Sequence, residues 1–129
     1  MQMHASCAAR HGQGVLVLGP AGSGKSSLIL SLVRAGFMLV ADDQVVVTDG
    51  IARCTAPLAG LLEVRGAGIT RMPYLRYTPL RIVVDLGTAE RLPQPGQHSA
   101  TGLPLFRMGR ETAPDYLMAA LWALPQLTH

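Results

Sequence analysis

Val15-Leu16-Val17-Leu18, followed by Gly19-Pro20-Ala21-Gly22-Ser23-Gly24-Lys25-Ser26, is the stretch on which the reading of this chain turns. The apolar run is too short and too β-branched for a helix and reads as a buried strand. The residues after it fit the Walker A pattern, whose glycines let the backbone curl so that successive N–H groups face phosphates. From Lys25 to Arg34, Leu28, Ile29, Leu32 and Val33 recur at helical spacing, and Gly36 falls where a helix C-cap belongs. A strand before the loop and a helix after it are what the motif requires, and the helix start adds its positive end. Lys25 is the only lysine among 11 basic residues. Its ammonium reaches terminal phosphates as a compact point charge, while the Ser26 hydroxyl suits Mg²⁺. Gly19, Pro20, Ala21, Gly22, Ser23, Gly24, Lys25 and Ser26 are therefore expected to hold ATP or a close relative with Mg²⁺.

Carboxylates should return to this loop. A helix of about ten residues rises ~15 Å, and a five-residue strand climbs back ~16 Å. Phe37 to Ala41 reads as that strand, so Asp42-Asp43 should end level with the phosphates. Adjacent residues at a strand end point opposite ways, so one carboxylate would face the metal and the hydroxyl to be phosphorylated while the other braces the loop. Spacing alone does not say which.

Farther along, Val45 to Val47 and Ile51 to Cys54 flank Asp49-Gly50, a pair that supplies the positive φ values of a tight hairpin turn. Pro57 to Pro79 is rich in Gly, Pro and Arg and reads as loop with short ordered pieces. Arg81 to Leu86 is a strand, Leu92 to Gly102 a turn-rich loop, and Leu105 to Arg107 a short last strand. Thr112 caps a helix with Leu117, Met118, Leu121 and Trp122 on one face, a core stripe rather than a site. No internal repeat is visible, so one mixed α/β domain, a P-loop sheet with flanking helices, accounts for residues 1–129.

Composition narrows the classes. Apolar residues make up 49% and charged residues 15%, the balance of a folded globule rather than a disordered segment. A formal charge of +3 spread along the chain offers no block of basic residues for nucleic acid or a membrane surface. The two cysteines, Cys7 and Cys54, cannot form a disulfide framework and read as free thiols. No stretch approaches the ~18 apolar residues of a membrane span, and no signal-peptide block opens the chain. A cytoplasmic protein is expected.

His4, then GVLVLGPAGSGKS, then LVADD, then LLEVRGAGI at 61–69 resemble, in that order and spacing, the catalytic domain of the bacterial HPr kinase/phosphorylase family. The LEVRG stretch is the distinctive part, since a Walker A motif alone is common to many ATPases and kinases. The resemblance implies an HPr kinase/PEP carboxykinase-like fold and transfer of phosphate from ATP to a serine of the phosphocarrier HPr. It further implies Asp43 as the base that takes the serine proton, Lys25 on the phosphates, and Ser26 and Glu63 on Mg²⁺. His4 and Arg91 match further catalytic positions. Arg107, Gly109 and Arg110 match a loop associated with the reverse, phosphorolytic reaction. A homo-oligomer, hexameric by resemblance, is implied as well, as is a catalytic core without the family's separate N-terminal domain.

The sequence departs from the family at several places. Ser27 stands where the family usually has Glu, the interval from Asp43 to Glu63 is shortened, and Met108 and Glu111 replace the usual Pro and Asn. The changes near the last loop bear on phosphorolysis more than on the kinase reaction. Two other functions compete: a small-molecule P-loop kinase, for which little chain remains to build a substrate lid, and a nucleotide-sensing module, which has no need of Asp43.

Overall fold

The computed structural model describes residues 1–87 and 94–107. Its strands are β1 (Gln2–Met3), β2 (Ser6–Arg10), β3 (Gln13–Leu18), β4 (Met38–Ala41), β5 (Val45–Thr48), β6 (Ile51–Arg53), β7 (Leu61–Val64), β8 (Gly68–Arg71), β9 (Tyr77–Asp85), β10 (Gln94–Gln97) and β11 (Pro104–Arg107). The α-helix α1 spans Lys25–Arg34, and a single 3₁₀ turn covers Ala56–Leu58. Nine strands form one mixed sheet in the order β1-β5-β6-β9-β3-β2-β4, with β11 on β9 and β10 on β11. β7 and β8 stand apart as a two-stranded hairpin.

The spine of the sheet is the parallel pair β3 and β9, in register from Val15 against Ile82 to Leu18 against Asp85. Val15–Val17 of β3 and Ile82–Val84 of β9 are buried on both faces, which explains why these stretches read as apolar runs, whereas the first half of β9 alternates exposed and buried. Val15, Val17, Ile82 and Val84 turn toward Leu28, Ile29 and Leu32 of α1. Leu16 and Val83 turn the other way, into a second cluster with Val40, Val45 and Leu105. Full burial of each α1 leucine or isoleucine is worth about 1.5–3 kcal/mol, so this one helix is firmly seated. Where β3 enters the sheet, a Cβ on Gly14 would lie 2.5 Å from the Pro79 carbonyl oxygen, so only glycine permits that approach.

Several expectations hold residue by residue. The strand before the glycine-rich loop, the helix Lys25–Arg34 and the return strand are all present. Asp49 (φ 53) and Gly50 (φ 76) make the tight turn between β5 and β6. Other expectations are sharpened or corrected. The short ordered pieces expected between Pro57 and Pro79 are the β7–β8 hairpin, turned at Gly66 (φ 86), and the first residues of β9, a pairing that the sequence did not specify. Its signal was weak because four-residue strands carry little periodicity. Gln94–Gln97 lies within a stretch expected to be loop, yet it pairs with β11 along its whole length. Backbone pairing at a sheet edge needs no apolar pattern. β2 was not expected at all, because Ser6, Cys7, Ala8 and Ala9 are small, but it sits between β3 and β4 with those residues wholly buried. Burial there pushes the Cys7 thiol far up, leaving it a neutral core group. Of the flanking helices expected, α1 is the one α-helix among the described residues, and the helix at Thr112 lies outside them.

Candidate phosphate and metal site

The glycine-rich loop leaves β3 and delivers the chain directly into α1. Gly19 has φ 150, Gly22 φ 82 and Gly24 φ 101, backbone states that side chains disfavour. At Gly19 a Cβ would also lie 2.5 Å from Ser23 Oγ, so the curl depends on glycine there. The N-cap of α1 is Gly24, with no side-chain cap and no acidic residue in the first turn. The first N–H groups of a helix lack intrahelical partners, and among the described residues no side chain caps them, so they are oriented to receive an anion. Lys25 is 7% exposed and its ammonium donates to the carbonyls of Gly19 (2.6 Å) and Pro20 (3.2 Å). The donor set of backbone amides, ammonium and helix end fits a phosphate chain.

Opposite the loop, β4 ends at Ala41 and Asp42-Asp43 follow at once, as the length argument requires. Asp42 is 8% exposed and fully engaged. Ser26 Oγ lies 2.9 Å from both of its carboxylate oxygens, Ser6 donates to Oδ1 at 2.7 Å, and the Glu63 N–H donates to Oδ2 at 3.2 Å. Asp43 differs in every respect. It has φ 72, its side chain is 63% exposed, and its Oδ1 lies 3.3 Å from His4 Nδ1. With the His4 side chain 56% exposed, that contact orients more than it stabilises.

A cleft of about 650 Å³ joins these groups: Lys25 and Ser26 from α1, both aspartates, His4, Glu63 and Arg65 all line it. The expectation that the two adjacent aspartates point opposite ways is therefore corrected, although one of them, Asp42, does brace the loop through Ser26. The positive φ of Asp43 breaks strand alternation, so both carboxylates open onto the same space. Glu63 reaches the cleft because β7 buries Leu62 against α1, and alternation then turns Glu63 outward. Arg107 ends β11 and is exposed, and it is not among the residues that line this cleft. Arg91, Gly109 and Arg110 lie outside the described residues, as do Met108 and Glu111.

Ser26, Glu63 and Asp42 supply oxygen donors of the type Mg²⁺ prefers. Among the described residues no group of three or more His, Cys, Asp or Glu is drawn together to hold a metal alone. Asp42 was not among the metal residues expected from sequence, although the Asp pair at the end of the return strand was the available signal. Ser6 was missed entirely, for it lies in a run of small residues with no motif.

The family description "HPr Serine kinase C-terminal domain" matches residues 1–75. The chain belongs to that family. An HPr kinase/phosphorylase of Cupriavidus metallidurans (strain ATCC 43123 / DSM 2839 / NBRC 102507 / CH34) is 38% identical over 128 residues, covering 85% of this chain and 40% of that protein. One of Clostridium novyi (strain NT) is 44% identical over 78 residues, 57% of this chain and 25% of that protein. The chain thus spans well under half the length of these relatives. Among solved structures, the Hpr(Ser) kinase/phosphatase from Coxiella burnetii matches with a TM-score of 0.76 over 99% of this chain and 97% of that one, at 22% identity. That likeness shows the fold: an α/β mixed sheet with few helices, of the HPr kinase type. No described helix is long and apolar enough to cross a membrane.

Proposed function

We propose that this HPr-kinase-type domain transfers the γ-phosphoryl group of ATP to a serine of an HPr-like phosphocarrier protein, with Mg²⁺. The observation that carries the reading is the single cleft in which a P-loop, two inequivalent aspartates and Glu63 meet. Phosphoryl transfer is mostly positioning and charge stabilisation, so what matters is which groups hold still and which are free.

The loop amides and the α1 N-terminus orient the phosphates, and Lys25 swings from its own loop carbonyls to the terminal ones. Magnesium, when bound with the nucleotide, offsets charge on the transferring group. Ser26 and Glu63 would hold it, with Asp42 beside Ser26. Asp42 accepts from four donor–oxygen contacts, which leaves it little freedom to take a proton. Asp43, exposed in the cleft with its carboxylate in contact with His4 alone among the described residues, is free to accept the proton of the attacking serine as its oxygen bonds to phosphorus and ADP departs. The same reading carries a cytoplasmic setting, a single-domain unit, a hexamer-type homo-oligomer, a catalytic role for Arg91, and a phosphorolytic reaction assisted by Arg107, Gly109 and Arg110.

The test is incubation with labelled ATP, Mg²⁺ and a panel of HPr-like proteins, followed by mapping of the modified residue. Label on one serine of one such protein is expected. Label on none of them overturns the assignment, and nucleotide binding without transfer would make the domain a sensor.

A further inference from the structure

Ser6 belongs to no motif and does not line the cleft. It is nevertheless 0% exposed, one of four buried polar or charged residues among those described. Its hydroxyl serves both aspartates at once: it donates to Asp42 Oδ1 at 2.7 Å and accepts from the Asp43 N–H at 3.2 Å. One residue earlier, the Ala5 N–H donates to the Asp43 carbonyl at 3.2 Å. Ala5 and Ser6, at the entry to β2, therefore hold Asp43 by both its N–H and its C=O, at a φ of 72 that strand backbone does not adopt by itself. The same hydroxyl fixes the carboxylate against which Ser26 rests at 2.9 Å.

We infer that Ser6 is a positioning residue for the metal-nucleotide half of the site: its hydroxyl sets the Asp42 carboxylate toward Ser26 and locks the backbone turn that brings Asp43 into the cleft. The inference rests on the proposed use of Mg²⁺ with ATP, though not on which protein receives the phosphate. A hydroxyl is required because the position must donate to one residue and accept from the next, which only a group with both capacities can do. A buried alanine would leave the Asp43 N–H without a partner and remove one of the donors on Asp42. No hydrogen bond joins Ser6 directly to residues 19–26, so the change reaches the P-loop only through Asp42 and the Ser26 hydroxyl, and the loop amides and Lys25 keep their own contacts.

The experiment measures ATP affinity of the intact chain by calorimetry, once in EDTA and once with Mg²⁺, for the natural chain, Ser6→Ala and Ser6→Thr. Ser6→Ala is expected to bind ATP in EDTA within about two-fold of the natural chain but to lose roughly 10-fold of the affinity gained from Mg²⁺, the effect of removing a residue that orients a ligand group. Ser6→Thr, which keeps the hydroxyl, should restore most of that gain. A merely structural role would lower the melting temperature without separating the two affinities. Equal Mg²⁺ gain in Ser6→Ala and the natural chain overturns the inference, as does a natural chain whose ATP affinity ignores Mg²⁺. Should Ser6→Ala not fold, Ser6→Cys, which nearly keeps the size with a weaker donor, must show the split or the inference fails. If the natural chain gains from Mg²⁺ yet labels no HPr-like protein, the acceptor assignment falls and the Ser6 result still stands.

Discussion

The two walls of the cleft are built in different ways. The phosphate wall is one continuous segment, Gly19 to Ser26, whose shape follows from its own glycines and from the helix that begins at Lys25. The opposite wall, to which the proposed function gives the metal and the acceptor, takes Asp42 and Asp43 from just past β4 and Glu63 from β7, with Ser6 of β2 buried behind the aspartates. Nothing local holds these together; packing of β2 into the sheet and of Leu62 against α1 does. A local wall tolerates strain elsewhere, whereas a composite wall depends on every element that carries a piece of it. Its parts also differ in restraint: the Asp42 carboxylate accepts from Ser6, Ser26 and the Glu63 N–H, whereas Asp43 is held through its backbone and its exposed carboxylate meets His4.

That difference can be broken most sharply at the aspartates. Asp43→Asn should keep ATP binding and lose about 10²–10⁴-fold in turnover, because general-base assistance acts on the chemical step alone. Near-normal turnover in Asp43→Asn, with the loss confined to Asp42→Asn, would invert the roles. Next in size, Lys25→Ala should lower turnover by roughly 10²–10³-fold and also weaken ATP binding, since the ammonium meets phosphates before and during transfer. Calorimetry showing undiminished ATP binding would remove the P-loop from the mechanism.

The smallest expected effect probes how the composite wall is held. Leu62→Ala leaves a cavity between β7 and α1 and should cost about 2–5 kcal/mol in urea unfolding. In the folded fraction it should weaken the Mg²⁺-dependent part of ATP binding more than the part measured in EDTA, because Glu63 rides on the same strand. If the two parts fall together, the hairpin serves the phosphate wall as well, and the contrast between the walls collapses.

The β3–loop–α1–β4 unit could be read from sequence because each of its signals is local: a β-branched run, glycines where φ turns positive, a 3.6-residue period and a glycine after the helix. Chain length alone placed Asp42-Asp43 level with the loop, and the hairpin at Asp49-Gly50 followed from its turn residues. The β7–β8 hairpin, β10 and above all β2 were not legible, since short or small-residue strands exist only through the neighbours that pair with them. The sequence by itself thus determined the phosphate loop, the helix behind it and the family. Tertiary structure alone decided that both aspartates open onto one cleft and that buried Ser6 joins them. A positive φ at a non-glycine residue is held by long-range hydrogen bonds to β2, and no pattern along the chain records a bond between residues 37 positions apart.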